Sequence, residues 1–363
     1  MASPESFRVL LDRLVQTPEY FSADDLKQAL NHLFTPDAVP PAQIGAFLTA
    51  LHIHRVERRP DSLAAAAEVL RGRSLKATVE EPDGDFIVDI VGTGGDGYNL
   101  FNVSTTAAIV AAGAGARVIK HGSRASTSSS GSADLLQALG CQFTPPTPGA
   151  ASTPIPRAPF TFILAPHYHP ALAFIAPYRK ALPFRTMFNI LGPLINPARP
   201  QGMVLGIAER EIGHTFARSL REGGVERALV VCGYEKLDEI SCAGPTYAWE
   251  LIDGHITEKT LRPELFGLPA HPLSTVAGGS PQENAATFEK LLTSGKDIPE
   301  SLKPVLDFVL MNASALLVVA RLAEDYAHGA KLALESITSG KAWAALETFR
   351  EAGHSVAAAA GSR

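Results

Sequence analysis

Two segments rich in glycine and hydroxyl residues are the parts of this 363-residue chain best suited to bind phosphate. The first, GTGGDGYNLFNVSTT at 92–106, lies between a predicted strand and a predicted helix. Glycines let backbone N–H groups surround an anion, and Asn102 or Ser104 can cap a helix whose N-terminus carries partial positive charge. The segment predicts a phosphate cradle, with a plain structural turn as the alternative.

The same glycines also match the spacing of a dinucleotide-binding loop. Gly92, Gly94 and Gly97 fit G-x-G-x-x-G, but that site needs an acidic residue about 20 positions further on for the ribose. No carboxylate occurs from 97 to 133. The sequence therefore argues against nicotinamide binding.

The second segment, KHGSRASTSSSGSADLL at 120–136, again links a predicted strand to a predicted helix. Loops after consecutive strands of a parallel sheet open on the same carboxyl edge, so the two segments should face one crevice. Lys120, Arg124 and the hydroxyls would then serve a ligand with phosphates at more than one end. A flexible serine-rich surface loop is the alternative for this segment alone.

Adjacent carboxylates follow a later apolar run. Asp238 and Glu239 come shortly after the predicted strand that ends at Cys232. Mg²⁺ takes one or two carboxylates together with substrate phosphates, so the pair suits a magnesium site. Taken without the two loops, the pair is more typical of a solvated surface.

A proline-rich stretch at 166–199 holds further candidates. Arg179 could pair with a substrate carboxylate through two N–H groups, although a surface arginine has the same local sequence. His167 and His169 are two residues apart, as are His52 and His54. In a helical pattern this spacing directs the rings of His52 and His54 to different faces, and neither pair indicates a metal site.

The elements that must position these residues fall into two units. Apolar spacing over 5–75 predicts helices, and the polar stretch at 80–84 marks a boundary. Short apolar runs then alternate with helical patterns, which is typical of parallel β-α-β units. We predict a small all-helical domain at 1–80 with part of 167–190. A larger α/β domain should comprise 83–165 and 190–363, with a mainly parallel central sheet flanked by helices.

The sequence pattern places the elements of the larger unit individually. Strands are predicted at 86–91, 117–120, 160–165, 203–207 and 228–232, and helices at 104–114, 133–139, 171–175 and within 305–349.

Composition excludes several classes of function. The net charge of −5 gives no basic field to hold nucleic acid or an anionic membrane. The apolar stretch at 308–320 is interrupted by Asn312 and Ser314, so no membrane span is predicted. The three cysteines, Cys141, Cys232 and Cys242, form neither a disulfide framework nor a zinc motif, which fits a reducing compartment and a cytoplasmic protein.

The motifs in combination resemble the anthranilate phosphoribosyltransferase family of tryptophan biosynthesis. The resemblance runs from the N-terminal helices to about residue 250 and rests on GTGGD at 92–96, NVST at 102–105, KHG at 120–122, SGSADLL at 130–136, YHPA at 168–171, FNILGPLINP at 188–197 and DE at 238–239. It implies an Mg²⁺-dependent enzyme, mostly a homodimer, that binds phosphoribosyl pyrophosphate and anthranilate in a cleft between a helical and an α/β domain.

The resemblance also implies roles for individual residues. Asp238, Glu239 and Ser104 would hold Mg²⁺, Arg179 would meet the carboxylate of anthranilate, and Lys120 and His121 would be catalytic. The residues implied to bind substrate are Gly92, Gly95, Asp96, Asn102, Val103, Ser104, Thr105, Lys120, Gly122, Ser123, Arg124, Ser128, Ser132, His169 and Arg179.

Two positions depart from the family pattern. Ser123 stands where the family usually has asparagine, which weakens an anthranilate contact there, and Leu100 stands where a phosphate-contacting threonine is common. The implied chemistry is loss of pyrophosphate from the anomeric carbon, which leaves an oxocarbenium-like sugar. Lys120 would stabilise the leaving group, and His121 is the nearest candidate to accept the amine proton.

Two other functions remain as alternatives. A pyrimidine nucleoside phosphorylase would share the fold and the glycine-rich loop, but the acid pair and the segment 188–197 favour the transferase. A non-catalytic homologue that binds nucleic acid is disfavoured by the net charge of −5.

Overall fold

The computed structural model describes residues 2–80, 84–125, 128–143, 145–146 and 151–361. Residues 81–83, where the sequence places the domain boundary, and residues 126 and 127 of the second loop lie outside the described residues. The predicted domain limits stay predictions.

Helices form the N-terminal unit, as the apolar spacing predicts. Ser3 and Ser22 each accept a backbone hydrogen bond from the first turn of the helix that follows, and prolines begin the next two helices. The helices are α1 (Pro4–Gln16), α2 (Ala23–Leu33), α3 (Pro41–Ile53) and α4 (Pro60–Arg73).

The remaining chain alternates strands and helices. The strands are β1 (Ala77–Val79), β2 (Ile87–Gly92), β3 (Arg117–Gly122), β4 (Thr153–Ile155), β5 (Phe160–Leu164), β6 (Gly202–Gly206), β7 (Arg227–Gly233), β8 (Thr246–Ile252) and β9 (His255–Leu261). The helices are α5 (Val103–Gly113), α6 (Ser132–Ala138), α7 (Ala165–Tyr168), α8 (Pro170–Ala181), α9 (Gly213–Glu222), α10 (Pro281–Thr293), α11 (Lys303–Val319), α12 (Tyr326–Thr338) and α13 (Lys341–Gly361).

Within the described residues, seven strands form one mainly parallel sheet in the order β5-β3-β2-β6-β7-β8-β9. The first five of these strands are parallel, and β8 and β9 are antiparallel. The predicted fold class is therefore confirmed. Strands β1 and β4 form a separate parallel pair, whose side chains pack with Ile87, Ile119 and Ile163 of the central sheet.

The hairpin β8–β9 was not predicted. Its turn consists of Asp253 and Gly254, both with positive φ (49° and 78°), the geometry of a tight hairpin turn. The Asp-Gly dipeptide between two runs of strand-forming residues is the sequence signal that identifies such a hairpin.

Side chains that alternate along the central strands divide between two apolar cores. Val204 packs with α5 and α11 on one face of the sheet, whereas Met203 and Leu205 pack on the other with the N-terminal helices. The period of two along a strand produces this division. The core of the helical unit is therefore continuous with one face of the sheet.

Helix α11 fills the core on the first face. The stretch Glu300–Val319 is, among the described residues, long and apolar enough by composition to cross a membrane, but 72% of its most apolar window is buried inside the protein. It is a core helix. Its Asn312 accepts a hydrogen bond from the Ile240 N–H and donates one to the Ile240 carbonyl, both at 3.2 Å.

We expect Asn312→Leu to destabilise the protein by about 1–3 kcal/mol, because it leaves both buried backbone groups of Ile240 without partners. The midpoint of urea unfolding measures the effect. Lys303→Ala is the control, since Lys303 lies on the same helix and pairs with exposed Glu300. Equal midpoints for the two variants would show that the clamp on Ile240 contributes nothing.

Candidate active site

A cavity of about 300 Å³ opens at the carboxyl edge of the sheet. Its walls are the loops after β2 and β3 and the segment 237–239 that follows β7. The two loops therefore meet, as their positions after consecutive strands predict. The predicted residues that line the cavity are Gly92, Gly95, Asp96, Asn102, Val103, Ser104, Lys120, His121, Gly122, Ser123, Arg124, Ser128, Ser132, Asp238 and Glu239.

The N-terminus of α5 faces this cavity. Asn102 precedes the helix but makes no side-chain cap, so the first-turn N–H groups of Ser104 and Thr105 have no intrahelical partner. Such an end attracts anions. Asn102 instead joins the two loops, since its Nδ2 donates to the Ser130 carbonyl at 2.8 Å and its Oδ1 accepts from Asn284 Nδ2 at 2.8 Å.

Asp238 is buried against the glycine-rich loop. Its Oδ2 accepts a hydrogen bond from the Gly94 N–H at 2.6 Å. A Cβ at Gly206 would lie 1.6 Å from the Asp238 backbone oxygen, so only glycine in β6 lets the acid segment approach so closely. Burial, and then the neighbouring Asp96 carboxylate, raise the pKa of Asp238 to about 7.

Glu239 and Lys120 are buried beside Asp238. Burial and then the Asp238 charge raise the pKa of Glu239 well above its ordinary range, whereas Lys120 and the Ser104 hydroxyl favour its charged form. The ammonium of Lys120 donates to the Ile90 carbonyl and lies 3.5 Å from Ser104 Oγ. Burial lowers the pKa of Lys120, and nearby carboxylates, first Asp89, act in the opposite direction.

The donor set of this cluster fits Mg²⁺ completed by a phosphate ligand. No group of three or more His, Cys, Asp or Glu side chains in the described part of the chain is arranged to hold a metal by itself. Asp238, Glu239 and the Ser104 hydroxyl supply hard oxygen atoms. The pKa values of both carboxylates are raised by burial and by neighbouring acids, so a divalent cation would stabilise their charged forms. Mg²⁺ commonly takes only one or two protein carboxylates and obtains the rest from phosphates and water.

His121 and His169 form a buried pair at the cavity wall. His121 Nδ1 lies 3.3 Å from the Gly192 carbonyl, and its Nε2 lies 3.1 Å from His169 Nε2. The carbonyl requires the proton on His121 Nδ1, so His169 donates to His121 Nε2. Burial, aided by the charge of His169, lowers the pKa of His121 to about 3. Burial lowers the pKa of His169 to about 4, so both rings are neutral at pH 7.

Comparison with known proteins agrees with this geometry. Residues 84–343 match the family model described as glycosyl transferase family, a/b domain, and residues 8–74 match its helical bundle domain. An anthranilate phosphoribosyltransferase of Schizosaccharomyces pombe is 45% identical over 90% of this chain and 91% of that protein. The chain belongs to the anthranilate phosphoribosyltransferase family. The family predicted from the motifs is therefore confirmed.

Other members of the family extend the similarity to bacteria and to solved structures. The enzyme from Herpetosiphon aurantiacus is 40% identical over 91% of this chain and 94% of its own length. The structure of the Saccharomyces cerevisiae enzyme in complex with phosphoribosyl pyrophosphate (PRPP) and Mg superposes with a TM-score of 0.87, at 32% identity, covering 98% of this chain and 99% of that one. The Thermus thermophilus enzyme gives 0.82 at 34% identity, with 94% and 98% covered.

Three residues predicted from the family resemblance do not line the cavity. The Thr105 side chain is buried in α5, and its hydroxyl has no hydrogen-bond partner among the described residues. His169 reaches the wall only through His121. Arg179 lies in the last turn of α8, where burial and then the charge of Arg185 lower its pKa. Their ligand contacts stay predictions.

Two positioning residues were missed by the sequence reasoning. Arg185 Nη2 donates to the Thr93 carbonyl at 3.0 Å, and Asn284 in α10 fixes Asn102. Arg185 shares the proline-rich stretch with Arg179, and that shared setting is the signal that could have identified it. Nothing in the sequence connects Asn284 with a residue 182 positions away.

We expect Asp238→Asn to stabilise the metal-free protein at pH 8. The folded protein raises the pKa of Asp238 from 3.8 to about 7, so the charge becomes increasingly unfavourable to folding as the pH rises between these values. Removing the charge should gain on the order of 1–3 kcal/mol at pH 8 and little at pH 4. Thermal unfolding in excess chelator measures the gain.

Asp253→Asn is the matched control for this substitution, because Asp253 is exposed in the β8–β9 turn. Its unfolding temperature should follow the wild type at both pH values. A loss of stability in Asp238→Asn at pH 8 would contradict the repulsion inferred for the acid cluster.

Proposed function

We propose that this protein transfers the 5-phosphoribosyl group from PRPP to anthranilate, giving N-(5-phosphoribosyl)anthranilate and pyrophosphate in tryptophan biosynthesis. The observation that carries the proposal is the single cavity in which two anion-binding loops meet a buried acid pair. A substrate with a 5-phosphate and a pyrophosphate needs anion contacts at two places, and a pair of hard acids suits its cation. Family membership supports the same reaction.

The donor site is proposed to use both loops. The glycine-rich loop with Gly92, Gly95 and Asp96 faces the pyrophosphate, and the open N-terminus of α5 with Ser104 faces phosphate and ribose. We propose that Asp238, Glu239 and Ser104 hold Mg²⁺, which when bound neutralises charge that develops on the leaving pyrophosphate. The second loop, whose Ser128 and Ser132 line the cavity, holds the rest of the donor.

The chain's own groups supply the remaining chemistry. The bond between the anomeric carbon and the pyrophosphate oxygen breaks with its electron pair on that oxygen, and the buried Lys120 ammonium stabilises the leaving group. The amine nitrogen of anthranilate then bonds to the same carbon and becomes acidic. A weakly basic neutral imidazole is sufficient to accept that proton, so we assign this step to His121, which must first exchange its Nε2 contact with His169.

We propose that the acceptor site lies beside the cavity, at helix α8. The Nε of Arg179 is buried and has no hydrogen-bond partner among the described residues, so a carboxylate would satisfy it. His121 and His169 form the adjoining wall. Ser123 lines the cavity where the family usually has asparagine, so any contact it makes to the acceptor is shorter in reach.

We also propose that the protein is a cytoplasmic homodimer that binds neither nucleic acid nor membranes. The three thiols are buried and unpaired, which fits a reducing compartment. Val9 on α1 and Ile53 at the end of α3 are 63% and 67% exposed, and these two helices pack together. A second copy would cover this apolar surface. Light scattering of the pure protein tests the dimer, and a monomer at micromolar concentration would overturn it.

The proposed reaction predicts Mg²⁺-dependent loss of anthranilate fluorescence when PRPP is added. The loss should vanish in excess chelator, because the acid pair alone leaves the leaving group uncompensated. Phosphorolysis of thymidine or uridine is the comparison assay. A faster rate with either nucleoside would favour the pyrimidine nucleoside phosphorylase alternative and overturn the proposal.

Arg179→Ala should lower kcat/KM for anthranilate by about thirtyfold or more, because truncating one partner of a buried charge pair costs about 2–5 kcal/mol. The KM for PRPP should change little. Steady-state kinetics with each substrate varied in turn measure both values.

Arg218→Ala is the control, since Arg218 on α9 lies outside the cavity and pairs with Glu222 on the same helix at 3.5 Å. Its constants should match the wild type. Equal losses for both substrates in Arg179→Ala would indicate a structural role for Arg179 in place of acceptor binding.

A further inference from the structure

One peptide group in the glycine-rich loop is hydrogen-bonded through both its carbonyl and its N–H. The Thr93 carbonyl accepts a hydrogen bond from Arg185 Nη2 at 3.0 Å, and the Gly94 N–H donates to Asp238 Oδ2 at 2.6 Å. The carbonyl and the N–H belong to the same peptide unit between Thr93 and Gly94. Arg185 and Asp238 therefore fix the orientation of that unit about its long axis.

The orientation matters because the two ends of a peptide carry opposite partial charges. Thr93, Gly94 and Asp238 line the cavity, whereas Arg185 does not. The N–H end is thus directed to the side of the cavity where Asp238 lies, and the carbonyl end is held on the Arg185 side. A rotated peptide would present a carbonyl oxygen to an anionic ligand and repel it.

The guanidinium of Arg185 also packs against Gly95. A Cβ built at Gly95 would lie 1.8 Å from Arg185 Nη1, and Gly95 has a φ of +81°. Both the backbone conformation and the space taken by the arginine therefore require glycine. The absence of a side chain at Gly95 serves the arginine contact as well as the approach of a phosphate.

The backbone that carries Arg185 is anchored to the helical unit. The ring of Phe184 stacks on His52 with centroids 4.4 Å apart. Two residues after Arg185, the Met187 N–H donates a hydrogen bond to the buried carboxylate of Glu57. Arg185 therefore contacts the glycine-rich loop from a segment whose backbone is held by the N-terminal helical unit.

We propose that Arg185 is a positioning residue that holds the Thr93–Gly94 peptide with its N–H on Asp238 and its carbonyl turned away from the pyrophosphate of the donor. The inference rests on the proposed function, since it takes the glycine-rich loop as the pyrophosphate site. It assigns a role to a residue outside the cavity, which acts on the ligand through the loop backbone and whose charge also favours the ionised Asp238 carboxylate. Arg179, on the same stretch of chain, acts on the other substrate.

The test measures binding of magnesium pyrophosphate by calorimetry in the absence of anthranilate. Arg185→Gln should raise the dissociation constant by about tenfold or more, because the released Thr93 carbonyl can then turn towards the anion and the peptide must be ordered again on binding. Added guanidinium should restore part of the affinity to Arg185→Ala. Arg218→Gln is the matched control and should bind like the wild type.

Kinetics separate this role from a general structural defect. Arg185→Gln should raise the KM for PRPP about tenfold or more while the KM for anthranilate stays within about twofold, the reverse of the pattern expected for Arg179→Ala. Unchanged binding of magnesium pyrophosphate by Arg185→Gln, or equal changes in both KM values, would overturn the inference. A wild type that binds neither PRPP nor magnesium pyrophosphate would overturn the proposed function itself.

A paired substitution tests the packing independently of any ligand. Gly95→Ala should lower the unfolding temperature strongly in the wild-type background, where the new Cβ meets the guanidinium. In Arg185→Ala only the backbone strain remains, so the loss should be clearly smaller. Equal losses in the two backgrounds would show that Arg185 does not occupy the space beside Gly95 and would overturn the inference.

Discussion

The burial of like charges at the carboxyl edge of the sheet is the constraint on which the rest of the structure depends. Asp238 and Glu239 lie together with Asp96 nearby. Asp96 raises the pKa of Asp238, and Asp238 and Asp96 raise the pKa of Glu239. Lys120, itself buried, compensates only part of this charge. Such a cluster persists because the surrounding fold holds it in place: Asn312 hydrogen-bonds the backbone of Ile240 from the core, and the Gly94 N–H donates to Asp238 from the other side.

A second buried acid connects the proline-rich stretch 166–199 to the carboxyl edge of the sheet. Asp89 in β2 accepts hydrogen bonds from Asn196 Nδ2 at 2.9 Å and from the His121 N–H at 3.3 Å. Asn196 also donates to the Ile119 carbonyl, so the proline-rich stretch is fastened to two neighbouring strands. The strand that presents Lys120 and the segment that leads away from Arg185 thus share one hydrogen-bond network. The residues proposed to bind the donor and those proposed to bind the acceptor are therefore positioned by the same hydrogen-bond network.

The sequence predicts those parts of the structure whose signals are local. Continuous apolar runs identify β2, β3, β6 and β7, and the order of loops along a parallel sheet is enough to place Lys120 near Asp96. The hairpin β8–β9 has a local signal in its Asp-Gly turn, but its edge strand is mostly exposed and lacks a continuous apolar run, and β1 and β4 are only three residues long. Arg185 and Asn284 act on partners 92 and 182 positions away, which no local pattern records.

Because side chains alternate along β6 and β7, the folding stability of the helical unit and that of the α/β unit depend on each other. Each strand is a shared wall: Leu229 and Val231 complete one core, and Ala228 and Val230 complete the other. Removing the N-terminal helices would expose an apolar face of the sheet to water, which is unfavourable and promotes aggregation. The helical unit is therefore no detachable module. Melting should be a single cooperative event, and a fragment that begins after α4 should aggregate.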